Sequence, residues 1–258
     1  MKPYYEADGV TIYHGDAIDV SCALDNATVD VVFTDPPYSS GARNAAQMRS
    51  RGSMRRADGK YGRDRWIGSD NLTSHGFQML VRLLAVECLR LTVKDGHYFS
   101  FIDWRQYPVL AGMTESAGWT IRSLLVWDKG SYGMGNGFRQ QAEFCLHASH
   151  GVADNFLRHD IGTVITLPRP KADIHPTQKP EAFVEIALSA VPGDRVFDPF
   201  MGSGTTLIAA RALGRRAIGA DNREEYCEIA ARRLAQTDLF TGPGRTAPQP
   251  ETFDQEAV

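Results

Sequence analysis

The apolar run Val29-Asp30-Val31-Val32-Phe33-Thr34 breaks off at Asp35-Pro36-Pro37-Tyr38, and that junction restricts the fold more than any other part of the chain. A nearly continuous apolar run of this length reads as a strand buried on both faces, as in parallel sheets covered by helices. Two successive prolines fix φ near about −65° and remove two backbone donors, so the ladder must stop there. What remains is an acid and an aromatic ring at a strand's carboxyl end, where ligands bind in open α/β sheets.

The rest of the chain alternates in the same way. Val10 to Tyr13 reads as a strand, Ala17 to Leu24 as a helix, and Phe77 to Leu89 as a core-facing helix that ends before the turn Lys94-Asp95-Gly96. His97 to Ile102, Thr120 to Trp127 and Ala142 to Leu146 read as strands, with a helix over Tyr107 to Ala117 and a glycine-rich loop over Gly130 to Gly137. Beyond Pro180 come a helix to Ala190, a strand at Arg195 to Phe197, a helix at Thr205 to Leu213, a strand at Arg216 to Gly219, and a helix at Glu224 to Ala235. Strands separated by helices give a doubly wound, mostly parallel α/β sheet with helices on both faces, in one domain spanning residues 1–240. The tail from Thr241 to Val258 has few apolar residues and is expected to stay disordered.

Charge is distributed unevenly. The formal net charge is −3, yet between Ser39 and Trp66 the side chains of Arg43, Arg49, Arg51, Arg55, Arg56, Lys60, Arg63 and Arg65 face only Asp58 and Asp64. Residues 39–68 have no clean period and are expected to form a mobile basic loop; such a segment is either a solvated surface or a clamp on phosphates. Cys22, Cys88, Cys145 and Cys227 lie far apart with no His at zinc-finger spacing, which argues against a disulfide framework and a structural metal. No apolar run approaches the roughly 20 residues of a membrane span, and a reducing cytoplasm is the expected location.

Asp198-Pro199-Phe200-Met201-Gly202-Ser203-Gly204-Thr205-Thr206 follows a strand and opens a helix. Backbone can approach a ligand at Gly202 and Gly204, where a Cβ would collide. The turn lacks the third glycine of the dinucleotide fingerprint, where Leu207 stands, and the lysine of a P-loop. Asp221, at the end of the next strand, is positioned to accept both hydroxyls of an adenosine ribose. Taken singly, each of these has a plainer reading: a tight turn, a helix N-terminal acid, and, at Asp35 and Tyr38, a turn acid and a core aromatic.

Together they carry a resemblance. Asp198 to Thr206, with Asp221, Asn222 and Tyr226, resembles the S-adenosylmethionine site of class I methyltransferases, and Asp35 to Tyr38 resembles the catalytic motif of their DNA amino-methyltransferase branch. His175-Pro176-Thr177-Gln178-Lys179-Pro180 matches an element that in relatives lies beside the methionine end of the cofactor, and Gly15-Asp16 resembles the acid near its adenine. The catalytic turn precedes the cofactor turn, an order similar to that of the circularly permuted β group. The resemblance implies a seven-stranded Rossmann-like sheet, S-adenosylmethionine as methyl donor leaving S-adenosylhomocysteine, no metal, double-stranded DNA as substrate, a homodimer, and a companion restriction endonuclease.

It also implies a mechanism. The amino nitrogen of adenine or cytosine is a poor nucleophile because its lone pair is delocalised into the ring; the Asp35 carboxylate and the Pro36 carbonyl, held by Pro37, would each accept one N–H and localise it. Tyr38 would stack on a base flipped from the duplex, at roughly 1–3 kcal/mol per base. The arginines after it, with Lys129 and Arg139, would meet DNA, and Phe138 would pack near the flipped base. The interval from Ser149 to Asp173 is short for a target-recognition segment, so reading would fall to the basic loop or a second subunit. Asp35 favours adenine N6 over cytosine N4, where serine is more usual. Alternatives are a cytosine-N4 enzyme, a catalytically silent DNA-binding relative, or methylation of RNA or protein glutamine.

Overall fold

The computed structural model describes residues 1–37, 74–133, 136–170 and 179–237. In chain order the elements are β1 (Tyr5–Ala7), β2 (Val10–His14), α1 (Ala17–Ala23), β3 (Val29–Thr34), α2 (Ser74–Leu91), β4 (Thr92–Ile102), α3 (Tyr107–Ser116), β5 (Thr120–Asp128), β6 (Ala142–Ser149), β7 (Val164–Thr166), α4 (Glu181–Ser189), β8 (Arg195–Asp198), α5 (Thr205–Ala212), β9 (Arg216–Asp221) and α6 (Glu224–Thr237). They form a nine-stranded sheet in the order β1-β2-β9-β8-β3-β4-β6-β5-β7. From β2 through β9, β8 and β3 to β4 every pairing is parallel; β6 lies antiparallel between β4 and β5.

Alternation along the central strands builds both cores. On β3, Val31 and Phe33 pack with Phe183, Val184 and Ile186 of α4, Leu207 of α5 and Ala230 and Leu234 of α6. Val32 points the other way, into Leu84, Ala85 and Cys88 of α2, with Tyr98 and Trp119. A period of two with apolar residues on both phases is what a strand between two helical layers requires, and it explains why the run has no polar face. Arg90 of α2 donates to the carbonyls of Ser21 at 2.8 Å and Leu24 at 3.0 Å, tying α2 to the end of α1.

The one acid in the β3 run has a specific task. Asp30 accepts from the backbone N–H groups of Asp194 and Arg195, both at 2.9 Å, and from the Arg195 guanidinium at 2.7 and 3.1 Å. It thereby clamps the amino ends of β3 and β8 together. Burial opposes its charge, but these donors hold its carboxyl below the usual range.

Several expectations change. The resemblance implies seven strands and the described residues form nine, because the three-residue strands β1 and β7 extend the two edges. The Lys94-Asp95-Gly96 turn lies inside β4 as a bulge: pairing with β3 jumps from Val29↔Thr92 to Val31↔His97, and Asp95 has φ +61°. Its N–H bonds the carbonyl of His150 at 2.8 Å, so the bulge is held from β6's side. Residues 39–68 and the tail 241–258 lie outside the described residues.

Removing the Asp30 carboxylate leaves two backbone N–H groups and a guanidinium without their acceptor at the amino ends of β3 and β8. Asp30→Ala is expected to cost about 2 kcal/mol in urea unfolding. Because the folded-state carboxyl lies below its unfolded value, this contribution is present in full above about pH 4 and fades as pH falls further. A variant within about 0.5 kcal/mol of the parent would remove the clamp's significance.

Candidate active site

Four parallel strands deliver an acid to one edge of the sheet. Asp35 follows β3, Asp198 ends β8, Asp221 ends β9, and Asp16 lies two residues past the end of β2. The connection from β3 to β4 winds one way and that from β8 to β9 the other, so the switch point lies between Asp35 and Asp198. The proline turn and the glycine turn, far apart in sequence, are therefore neighbours.

The glycine turn is organised from both sides. Asp198 is buried and accepts the N–H of Phe200 at 3.0 Å, with Thr206 also bonding it. Burial pushes its carboxyl up to about 7, against those hydrogen bonds and with some help from the charge of Asp35. Asp221 reaches across the loop: one oxygen accepts the N–H of Gly202 at 3.1 Å and the other that of Arg223 at 2.9 Å, while its backbone carbonyl takes the N–H of Gly15 at 3.0 Å. Burial raises this carboxyl as well. The acid thus ties three strand-end loops together.

The two glycines differ. Gly202, at φ +50°, has nothing within 4 Å of a built Cβ and faces open space. Gly204 caps α5 at φ +83°, and a Cβ there would stand 2.8 Å from Ala230 of α6. Room for a ligand is the account at Gly202; close packing of α5 on α6 is the account at Gly204. Ser203, Thr205 and Thr206 are buried, and the Ser203 hydroxyl lies 3.2 Å from Arg233 of α6. Pro199 is buried, Phe200 half-buried and Asn222 exposed. Asp16 caps α1, accepting the N–H of Ile18 at 2.8 Å.

Asp35 has a cationic neighbour. Lys179, only 7% exposed, sets its Nζ 2.7 Å from Asp35 Oδ2 and 3.2 Å from Glu143 Oε2, and 5.1 Å from the centre of the Phe101 ring. The other Glu143 oxygen is 2.5 Å from Lys129.

A family description, DNA methylase of the N6/N4 type, matches residues 29–161 and 158–232, which include both turns. The chain belongs to the N6/N4 DNA methylase family. The Type II methyltransferase M2.DpnII of Streptococcus pneumoniae is 28% identical to it over 259 residues, spanning 90% of this chain and 92% of its own. M.HinfI of Haemophilus influenzae, also named a Type II methyltransferase, is 26% identical over 88% of this chain and 68% of its own. Among solved structures, the M1.HpyAVI–SAM complex aligns with TM-score 0.64 at 26% identity, covering 87% of this methylase and all of that chain. The cytosine-N4-specific PvuII DNA methyltransferase aligns with TM-score 0.70 over 90% of this chain and 89% of its own, at 16% identity, a likeness of fold.

Within the methylase, the fold brings Asp35, Pro36, Pro37, Lys179, Asp198, Gly202 and Asp221 to one edge. Tyr38, His175, Thr177 and Gln178, together with Arg43, Arg49, Arg51, Arg55, Arg56, Lys60 and Arg63, lie outside the described residues. Lys129 is engaged by Glu143, and Arg139 stacks over Tyr132 at 3.5 Å beside a fully exposed Phe138. Glu143 was given no role by the sequence; its register opposite Trp127 on β5 and its contacts with Lys129 and Lys179 reveal one.

The contrast between the glycines is testable. Gly204→Ala adds a left-handed backbone cost to a steric clash and is expected to lower stability by roughly 2–4 kcal/mol, while Gly202→Ala costs about 1. Urea melts of the two variants check the order; equal losses would contradict it.

Proposed function

We propose that the methylase transfers a methyl group from S-adenosylmethionine to the exocyclic N6 of an adenine flipped out of double-stranded DNA. The observation that carries this reading is the adjacency of the proline turn and the glycine turn across the switch point, acid beside acid. The residues present suit the cofactor: open space at Gly202, the acceptors of Asp221 and the amino end of α5 form the kind of rim a nucleoside with a charged tail requires. S-adenosylmethionine, when bound, supplies a methyl group on a sulfonium, which needs only a nucleophile in line.

This chain's own residues make that nucleophile. The proline turn holds Asp35 at the end of a strand whose register is clamped at its other end by Asp30. A carboxylate oxygen has more than one lone-pair direction, so Asp35 can keep Lys179 and still accept an amine N–H. Acceptance by Asp35 and by the Pro36 carbonyl localises the nitrogen lone pair and stabilises the positive charge that grows on it. As the new N–C bond forms, one N–H proton becomes acidic and passes to the Asp35 carboxylate and on to water. Tyr38 is read as the stacking face, and the basic residues between Arg43 and Arg63 as phosphate contacts. The Type II names of the relatives support a companion endonuclease.

Asp rather than Ser at the first motif position supports adenine over cytosine. Mass spectrometry of nucleosides from DNA treated with the protein is expected to show N6-methyladenine, and Asp35→Ala to lower its rate of appearance by about 100-fold or more. N4-methylcytosine in its place would overturn the adenine reading. DNA left unmethylated would overturn the reading altogether.

A further inference from the structure

Charge alternates through four side chains brought together from four elements. Asp35 follows β3, Lys179 precedes α4, Glu143 belongs to β6, and Lys129 follows β5; successive partners stand at 2.7, 3.2 and 2.5 Å. Lys129 and Lys179 each also approach an aromatic ring, Trp127 at 4.9 Å and Phe101 at 5.1 Å. A buried ammonium is costly unless acids face it, and breaking such a group by removing one partner costs more than the pair itself contributes. Lys179 is the most buried member, and it is the one that touches the acid at the end of β3.

On the reading above, and resting on it, we infer that Lys179, gripped by Glu143, is a positioning residue that keeps Asp35 an ionised hydrogen-bond acceptor while the amine attacks. A protonated acid offers a donor where the amine needs an acceptor, and an ammonium 2.7 Å from Asp35 favours the ionised form. Glu143 supports this from behind. Burial works against its charge, yet Lys179 and Lys129 together hold its carboxyl below the usual range, so it remains an anion that anchors the ammonium. A lysine pulled between two carboxylates cannot swing towards solvent, and Pro180 follows it directly.

Among the described residues, several titratable groups face Asp35 and Lys179. From β6 come Glu143 and Cys145, whose thiol is pushed up by burial and stays neutral. From β8 comes Asp198, and Lys129 acts through Glu143. Of these, Asp198 has its carboxyl pushed up to about 7 by burial, so its effect must be separated from that of Asp35.

The test follows the Asp35 carboxyl itself, by carbon NMR of the full chain carrying 13C-carboxyl aspartate, with Asp35→Asn to assign the signal. In Lys179→Met the titration midpoint is expected to rise by about one pH unit or more, and in Lys179→Arg to stay near that of the parent. Glu143→Gln is expected to lower the midpoint, because the ammonium is left to Asp35 alone; this variant keeps the inference testable if Lys179→Met does not fold. The acid limb of single-turnover methyl transfer should move with the midpoint, while calorimetric affinity for S-adenosylmethionine stays within a few-fold. An unmoved midpoint, a rate reduced equally at every pH, or loss of cofactor affinity in Lys179→Met would overturn it. A parent that transfers no methyl group to DNA would sink the proposed function, whereas the NMR midpoint judges Lys179 regardless.

Discussion

The parallel pairing of β3 with β8 is the constraint on which the site depends. Only two residue pairs define it, Val31↔Val196 and Val32↔Phe197, and both strands are buried on either face. Asp30 reinforces so short a ladder, collecting two backbone donors and a guanidinium from the start of β8. A slip of one residue would invert every side chain and exchange the two cores. With the register held, the chain leaves β3 and β8 side by side, and two turns of unrelated sequence face each other across the point where the winding reverses.

The electrostatics of that edge follow from the same arrangement. Several carboxylates converge where burial disfavours charge, and each is handled differently. Asp198 takes hydrogen bonds while burial pushes its carboxyl up to about 7, Asp221 takes backbone N–H groups from two loops, and Asp35 takes a lysine. On the proposed reading, amine alkylation needs an acceptor at the third position, and cofactor binding a ribose partner at the second.

Much of this was legible in the residues. The double burial of β3 could be read from Val31, Val32 and Phe33, and the turns from Pro36-Pro37 and Gly202-Ser203-Gly204, because prolines, glycines and apolar runs act locally. The strands β1 and β7 were not legible. Tyr5-Glu6-Ala7 and Val164-Ile165-Thr166 are too short to show a period, and they are strands only because an edge partner pairs with them. Nor could sequence show the polar row in which His97 meets His147 at 3.2 Å and Ser123 lies 3.2 Å beyond, the rings held neutral by burial. Lys179 and Glu143 belong with these: thirty-six positions separate them, and only the sheet order brings both to Asp35.

The central claim is a division of labour between adjacent turns, with the glycine turn and Asp221 holding the cofactor and the proline turn preparing the amine. Calorimetric titration of S-adenosylmethionine into Asp221→Ala and Asp35→Ala tests it most directly. The account predicts that affinity falls by about tenfold or more in the first, the loss of a charge-assisted hydrogen bond, and stays within a few-fold of the parent in the second. Binding that survives Asp221→Ala intact, or that is abolished by Asp35→Ala, would contradict it.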